Sequence, residues 1–352
     1  MNKLSFYKGK TVLVTGHTGF KGSWMCKMLL LQGATVVGYS LEPPVEPNMF
    51  EILQLDKRMI SVIGDIRNLE QLRNVMQQYQ PEIVIHMAAQ PIVRESYVNP
   101  VYTYETNVMG TVHVLEAVRQ CGSVRSVINV TTDKVYQNNE WVWGYREIDV
   151  LDGYDPYSNS KSCSELVTNA YKKSFFQERN IAISTCRAGN VIGGGDFAKD
   201  RIIPDCVRAV QKKEAIVVRN PYSIRPYQHV LEPVYVYLEL AAKQYVEPQK
   251  YEDSYNIGPD ECDCVTTGAL ADLFCTAWGD GVKWINKAET NAPHEASFLK
   301  LDCAKIKRKI AWQARWNIVD AVEKSVEWSK AWLANANMNV VTENQILEFL
   351  ND

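Results

Sequence analysis

Thr11-Val-Leu-Val-Thr15-Gly16-His17-Thr18-Gly19-Phe20-Lys21-Gly22 joins a β-branched run to an apolar, periodic one across three glycines at spacing three and three. Glycine lacks a β-carbon, so the backbone can turn sharply and approach a pyrophosphate while the next helix points its N-terminus at the phosphates. A tight strand-to-helix turn would use glycines too. Set between a strand and a helix, the triplet predicts a dinucleotide-binding loop, with Gly16, Thr18, Gly19, Phe20 and Gly22 against the cofactor.

Outward from this loop, short β-branched runs alternate with longer amphipathic ones. Strands are expected at Thr11–Thr15, Thr35–Tyr39, Ile60–Ile63, Glu82–His86, Arg125–Val130 and Ile181–Arg187, and helices at Phe20–Gln32, Asn68–Tyr79, Pro100–Cys121 and Pro156–Arg179. That alternation predicts an α/β protein with a Rossmann-type doubly wound parallel sheet. After Gly189 the texture changes, and helices are expected at Arg201–Lys213, Leu231–Val246, Thr266–Trp278 and Ile318–Ala334, with a strand at Ala215–Arg219. The expected division is a dinucleotide-binding domain over 1–188, to which about 225–257 returns, and a smaller C-terminal substrate-binding region over 189–352. Thr342–Leu350 adds a short amphipathic helix.

Composition narrows the function. In 352 residues, 38 Lys plus Arg face 41 Asp plus Glu, a net charge of −3 that supplies no basic field for nucleic acid. Any anionic ligand must therefore meet local arginines. No apolar run suits a membrane span or a signal peptide. The nine cysteines form no CxxC pair and no metal-ligand spacing, as expected of reduced thiols in a cytoplasmic protein without a metal.

Tyr157 and Lys161 stand four apart at a helix start, hence on one face, and no other Tyr in the chain has a Lys four residues on. One such pair is expected by chance, so position carries the argument. The preceding loop would bring the pair over a nicotinamide bound at the strand ends, where a lysine ammonium favours the phenolate and makes Tyr157 a base. Thr132, Asp133 and Lys134 follow the strand ending at Val130, again at its carboxyl end, where ligands of open sheets bind. Asp65, in Gly64-Asp-Ile-Arg67, is placed either to accept from an adenine amino group or to cap a helix. The second strand ends in Tyr39-Ser40-Leu41 without the acid that would hold ribose hydroxyls, or an arginine for a 2′-phosphate, which leaves NAD against NADP open.

Several motifs together, Thr15-Gly-His-Thr-Gly-Phe-Lys-Gly-Ser-Trp24, His86-Met-Ala-Ala-Gln90, Thr132-Asp-Lys-Val-Tyr136, Tyr157 with Lys161, Arg187-Ala-Gly-Asn-Val191, Arg225-Pro-Tyr-Gln-His-Val-Leu-Glu-Pro233 and Pro293-His-Glu-Ala296, span nearly the whole chain. They resemble the extended short-chain dehydrogenase/reductase superfamily, and within it the CDP-glucose 4,6-dehydratases of bacterial deoxysugar synthesis. Relatives acting on dTDP-sugars carry a glutamate where this chain has Lys134.

The resemblance implies NAD as cofactor, with Ser40, Ile66, Ala88, Ala89, Gln90, Asn107, Thr131 and Arg187 joining the cofactor-binding set beside Tyr157 and Lys161. It implies C4 oxidation, loss of water across C5 and C6, and hydride return to C6 of CDP-glucose. Asp133 would be the acid at C6 and Thr132 would orient the C4 oxygen; Lys134 is harder to place, because a charged lysine cannot remove a proton. Asn190, Arg201, Arg225, His229 and His294 would hold the nucleotide sugar, with Arg219 as a further cation of that region. Long helices of this superfamily form four-helix dimer interfaces, so a homodimer or homotetramer is expected. An epimerase or 4-reductase on the same fold is the competing enzyme, and a non-catalytic NAD sensor the competing class.

Overall fold

The computed structural model describes residues 3–288 and 298–352. Seven strands, β1 (Thr11–Thr15), β2 (Thr35–Ser40), β3 (Ile60–Ile63), β4 (Ile83–His86), β5 (Ser126–Val130), β6 (Ala182–Ala188) and β7 (Ser254–Ile257), form one sheet in the order β7-β6-β5-β4-β1-β2-β3. Every neighbouring pair is parallel. The strand alternation decides which side chain meets which helical layer. In β1, Val12 and Val14 enter the core beside α1 (Phe20–Leu31), whereas Leu13 enters the opposite core with Leu72, Val75 and Met76 of α2 (Leu69–Tyr79) and Val114 and Val118 of α3 (Gly110–Gln120). Both faces are therefore covered, as parallel sheets require.

The strands and helices expected ahead of Gly189 are present. The two long helices differ in detail: each contains one wider turn, at Glu105–Met109 and at Lys172–Phe176, the second following α4 (Pro156–Tyr171). β7 is an additional strand that pairs with β6, its Tyr255 and Ile257 buried.

The second region has its own core. Ile203, Cys206 and Val207 of α5 (Ile202–Gln211) pack with Leu270 and Phe274 of α7 (Thr267–Trp278) and with Ile318, Val322 and Val326 of α8 (Ile318–Leu333). Between these helices in sequence, α6 (Leu231–Val246) lies instead against the main sheet, where Gln244 donates to Ser126 Oγ and to the Val127 carbonyl, both at 2.8 Å. The tail forms α9 (Met338–Asn351), capped by Asn337 and longer than the expected 342–350. Its Phe349 is fully buried against Trp316, with ring centroids 5.1 Å apart. Among the described residues no helix is long and apolar enough to cross a membrane, and no cluster of His, Cys, Asp and Glu could hold a metal.

Candidate active site

The sheet order reverses between β1 and β4, and a cleft of about 1270 Å³ opens over their carboxyl ends. That exceeds the usual volume of a site for one small ligand. Thr15 fixes the two strand ends together: its Oγ1 bonds His86 Nδ1 at 2.8 Å and accepts the Met87 and Ala88 N–H groups at 3.1 Å. Gly16 then turns at φ +79°, its N–H donating to the Tyr39 carbonyl. A β-carbon at Gly22 would stand 2.1 Å from the Gly16 carbonyl oxygen, so that glycine is required by packing. At Gly19 the nearest atom to a β-carbon would be 3.5 Å away. Gly19 lines the cleft, so the open space above it leaves room for a dinucleotide pyrophosphate at the start of α1.

Beyond the loop, Thr18 Oγ1 bonds Ser40 Oγ and donates to the Leu41 carbonyl, each at 2.9 Å, joining two lining residues at the glycine-loop end of the cleft. Asp65 lines the same end but caps no helix. Its carboxylate accepts from the backbone and guanidinium of Arg67, and Asn68 is the cap of α2. Ile66, Ala88, Ala89, Gln90 and Thr131 all line the cleft.

At the other end β5 runs into a short turn whose N-cap is Thr132. Thr132 Oγ1 donates to Asp133 Oδ1 at 3.0 Å, and Lys134 Nζ stands 3.6 Å from the same oxygen. Asp133 is buried, yet Oδ2 has no hydrogen-bond partner among the described residues; a buried orphan acceptor beside a cleft points to a ligand donor. Asp155 caps α4 by accepting the Ser158 N–H, which sets Tyr157 in its first turn and Lys161 one turn on. Burial pushes the Tyr157 hydroxyl up to about 12, against a hydrogen bond with Thr132 that pulls it down. Lys161 donates to the Val130 carbonyl at 3.2 Å and is brought down to about 8, first by burial and then by the charge of Lys21, with Glu165 opposing.

Lys21 is a site residue that sequence reasoning quoted within the glycine loop without assigning. It lines the cleft and is itself lowered to about 8 by burial and by Arg201, against the charge of Asp133. A cation inside a glycine loop was the available signal.

On the far wall Asn190, Arg201, Arg219 and Arg225 all line the cleft. Arg201 lies at the start of α5 and is bonded by Asp196; Arg219 is bonded by Asp200. Three expected contacts do not line it, and each has a physical reason. Asn107 is buried in bonds with Gln90 and Ser160. Arg187 is committed to Glu165 Oε2 at 2.9 Å and to the Tyr136 hydroxyl at 2.8 Å. His229 is fully buried between the rings of Trp24 and Trp316, and burial lowers its pKa to about 3, which keeps it neutral. These residues shape the walls from behind. His294 lies outside the described residues.

A doubly wound sheet with a glycine loop at its switch point, and with Tyr157 and Lys161 over the strand ends, defines a short-chain dehydrogenase/reductase of the extended kind. Residues 13–325 match the family described as GDP-mannose 4,6 dehydratase, and the chain belongs to that family. It is 49% identical to CDP-glucose 4,6-dehydratase of Salmonella typhimurium, over 98% of each chain. Among solved structures it is similar to a UDP-glucose-4-epimerase of Stenotrophomonas maltophila with bound NAD and formylated UDP-arabinopyranose (TM-score 0.80, 21% identity, 93% of this chain and all of that one). It is also similar to dTDP-glucose 4,6-dehydratase of Bacillus anthracis in complex with NAD (TM-score 0.75, 21% identity, 92% and 97% covered). These two likenesses concern the fold.

Proposed function

We infer that this chain is an NAD-dependent nucleotide-sugar 4,6-dehydratase that converts CDP-glucose to CDP-4-keto-6-deoxyglucose and water. The observation that carries the reading is the near full-length, 49% identity to a CDP-glucose 4,6-dehydratase. The site agrees with it, because the cleft carries an Asp133–Lys134 pair beside Tyr157, which neither an epimerase nor a reductase needs. NAD, when bound, accepts the C4 hydride and returns it to C6, so the reaction consumes no reductant.

The residues divide the proton work. Tyr157 takes the C4 hydroxyl proton, with Thr132 hydrogen-bonding the same oxygen and the Lys161 ammonium favouring the phenolate. The new ketone acidifies the C5 hydrogen. Lys134, entering as the free amine, takes the C5 proton and so becomes the cation beside the enolate, while Asp133 gives a proton to the departing C6 hydroxyl, which leaves as water; a proton returns from Lys134 to C5 as hydride reaches C6, and the proton held by Tyr157 restores Asp133. Arg201, Arg219 and Arg225 offer charge-assisted bonds to the diphosphate, with Asn190 beside them. Gly16, Thr18, Gly19, Phe20, Gly22, Ser40, Asp65 and Ile66 would hold the cofactor.

The same reading takes residues 1–188 as the NAD-binding domain, with 225–257 returning to it, and 189–352 as the substrate region. It places the enzyme in the cytoplasm as a homodimer or homotetramer. Supporting the assembly, Val98, Val101 and Leu166 leave exposed apolar side chains on neighbouring helices. Incubation with CDP-glucose and a trace of NAD tests the activity: a 4-keto product absorbing at alkaline pH supports it. Consumption of added NADPH in proportion to product would assign a reductase instead.

A further inference from the structure

Two carboxylates on one segment of the cleft wall meet two of the cations just assigned to the diphosphate, and they meet them differently. Asp196 and Asp200 both line the cleft, within the stretch that leads from Gly195 to α5. Asp196 is almost fully buried, with 5% of its side chain exposed. One of its oxygens accepts the Ala198 N–H at 3.0 Å and the other accepts from Arg201 Nη1 at 3.1 Å. A carboxylate anchored through one oxygen holds the guanidinium at the other in a fixed place.

Asp200 is the opposite case. Its side chain is 46% exposed, and it accepts from Arg219 Nη2 at 2.6 Å. Its backbone sits at φ +60°. That left-handed conformation costs a non-glycine residue some stability. Arg219 has a second carboxylate, Asp205, at 3.7 Å, but Asp205 also pairs with Arg208. Exposed ion pairs contribute little. A diphosphate entering the cleft brings two negative charges to a cation that a solvated carboxylate holds weakly.

We propose that the two aspartates are positioning residues of opposite sense: Asp196 fixes Arg201 for the nucleotide sugar, whereas Asp200 occupies Arg219 until the substrate diphosphate displaces it. The inference rests on the reading of this cleft as a nucleotide-sugar site. It makes substrate entry at Arg219 an exchange of anions, and predicts that removing one carboxylate strengthens binding while removing its neighbour weakens it.

Calorimetric titration with CDP, on the full-length protein, separates the two. Asp200→Asn should bind CDP about two- to fivefold more tightly, the scale of one exposed ion pair released. Asp196→Asn should bind it roughly tenfold more weakly, and Asp196→Glu, which keeps the carboxylate, should recover part of that loss. In an Arg219→Met background the Asp200→Asn change should alter nothing, because the effect acts through that guanidinium. Weaker or unchanged binding in Asp200→Asn overturns the proposal, as does tightening that persists without Arg219. Failure of the unaltered protein to bind CDP would instead overturn the nucleotide-sugar reading beneath it.

Discussion

In the proposed mechanism Asp133 and Lys134 separate dehydrating a sugar from oxidising it. Asp133→Asn keeps the size and the bond from Thr132 but removes the transferable proton. C4 oxidation should therefore survive while elimination slows by about 10²–10⁴-fold, the usual contribution of a positioned general acid. The variant should hold reduced nicotinamide and a 4-keto-glucose intermediate, both visible in a rapid-quench experiment. Lys134→Met should retain C4 oxidation and lose hydrogen exchange at C5; normal C5 exchange would exclude Lys134 from the chemistry. In the proposed mechanism the Lys161 ammonium, one turn into α4, favours the Tyr157 phenolate. Burial pushes that hydroxyl up to about 12. An opposing cation is what brings the phenolate within reach of neutral pH. Removing the cation raises the Tyr157 pKa, so in Lys161→Met the acidic limb of the kcat/KM profile should move to higher pH. A rate that falls without moving that limb would show Lys161 to be merely structural.

At the scale of elements, the glycine loop separates what the fold needs from what the ligand needs. Gly22→Ala drives a β-carbon into the Gly16 carbonyl. The variant should be destabilised by about 3 kcal/mol, read as a lower thermal midpoint. Gly19→Ala meets no close atom of the chain and should fold normally. It should nonetheless bind NAD roughly tenfold more weakly. The loop was legible because strand, turn and helix follow one another within a dozen residues. β7 was not: Ser254-Tyr-Asn-Ile257 has too short a pattern to announce a strand, and its partner β6 lies far earlier in the chain. That His229 is buried off the cleft was hidden for a related reason. Its place in a motif of the resembled family implied a substrate contact, while its surroundings, Trp24 and Trp316, come from distant segments that no local periodicity encodes. The position of Thr132, Asp133 and Lys134 on the cleft was legible because parallel strands end where ligands bind.

Across the whole molecule, the proposed mechanism draws its reactive groups from the main sheet and the charges that anchor the substrate from the second region, which requires one sugar to stay clamped between them through every step. Arg225 is 3% exposed yet lines the cleft. Arg225→Ala should weaken CDP binding by roughly ten- to hundredfold, the value of a charge-assisted contact. Clamping has a consequence for isotopes. The hydride removed from C4 has no exit while the diphosphate is held, and the only carbon left to receive it is C6 of the same sugar. CDP-glucose carrying deuterium at C4, mixed with unlabelled substrate, should give product with deuterium at C6 in the labelled molecules alone, measured by mass spectrometry of intact products. Scrambling of label between molecules, or its release into free reduced cofactor, would mean that the sugar leaves between oxidation and reduction, and that the arginines do not hold it for the full cycle.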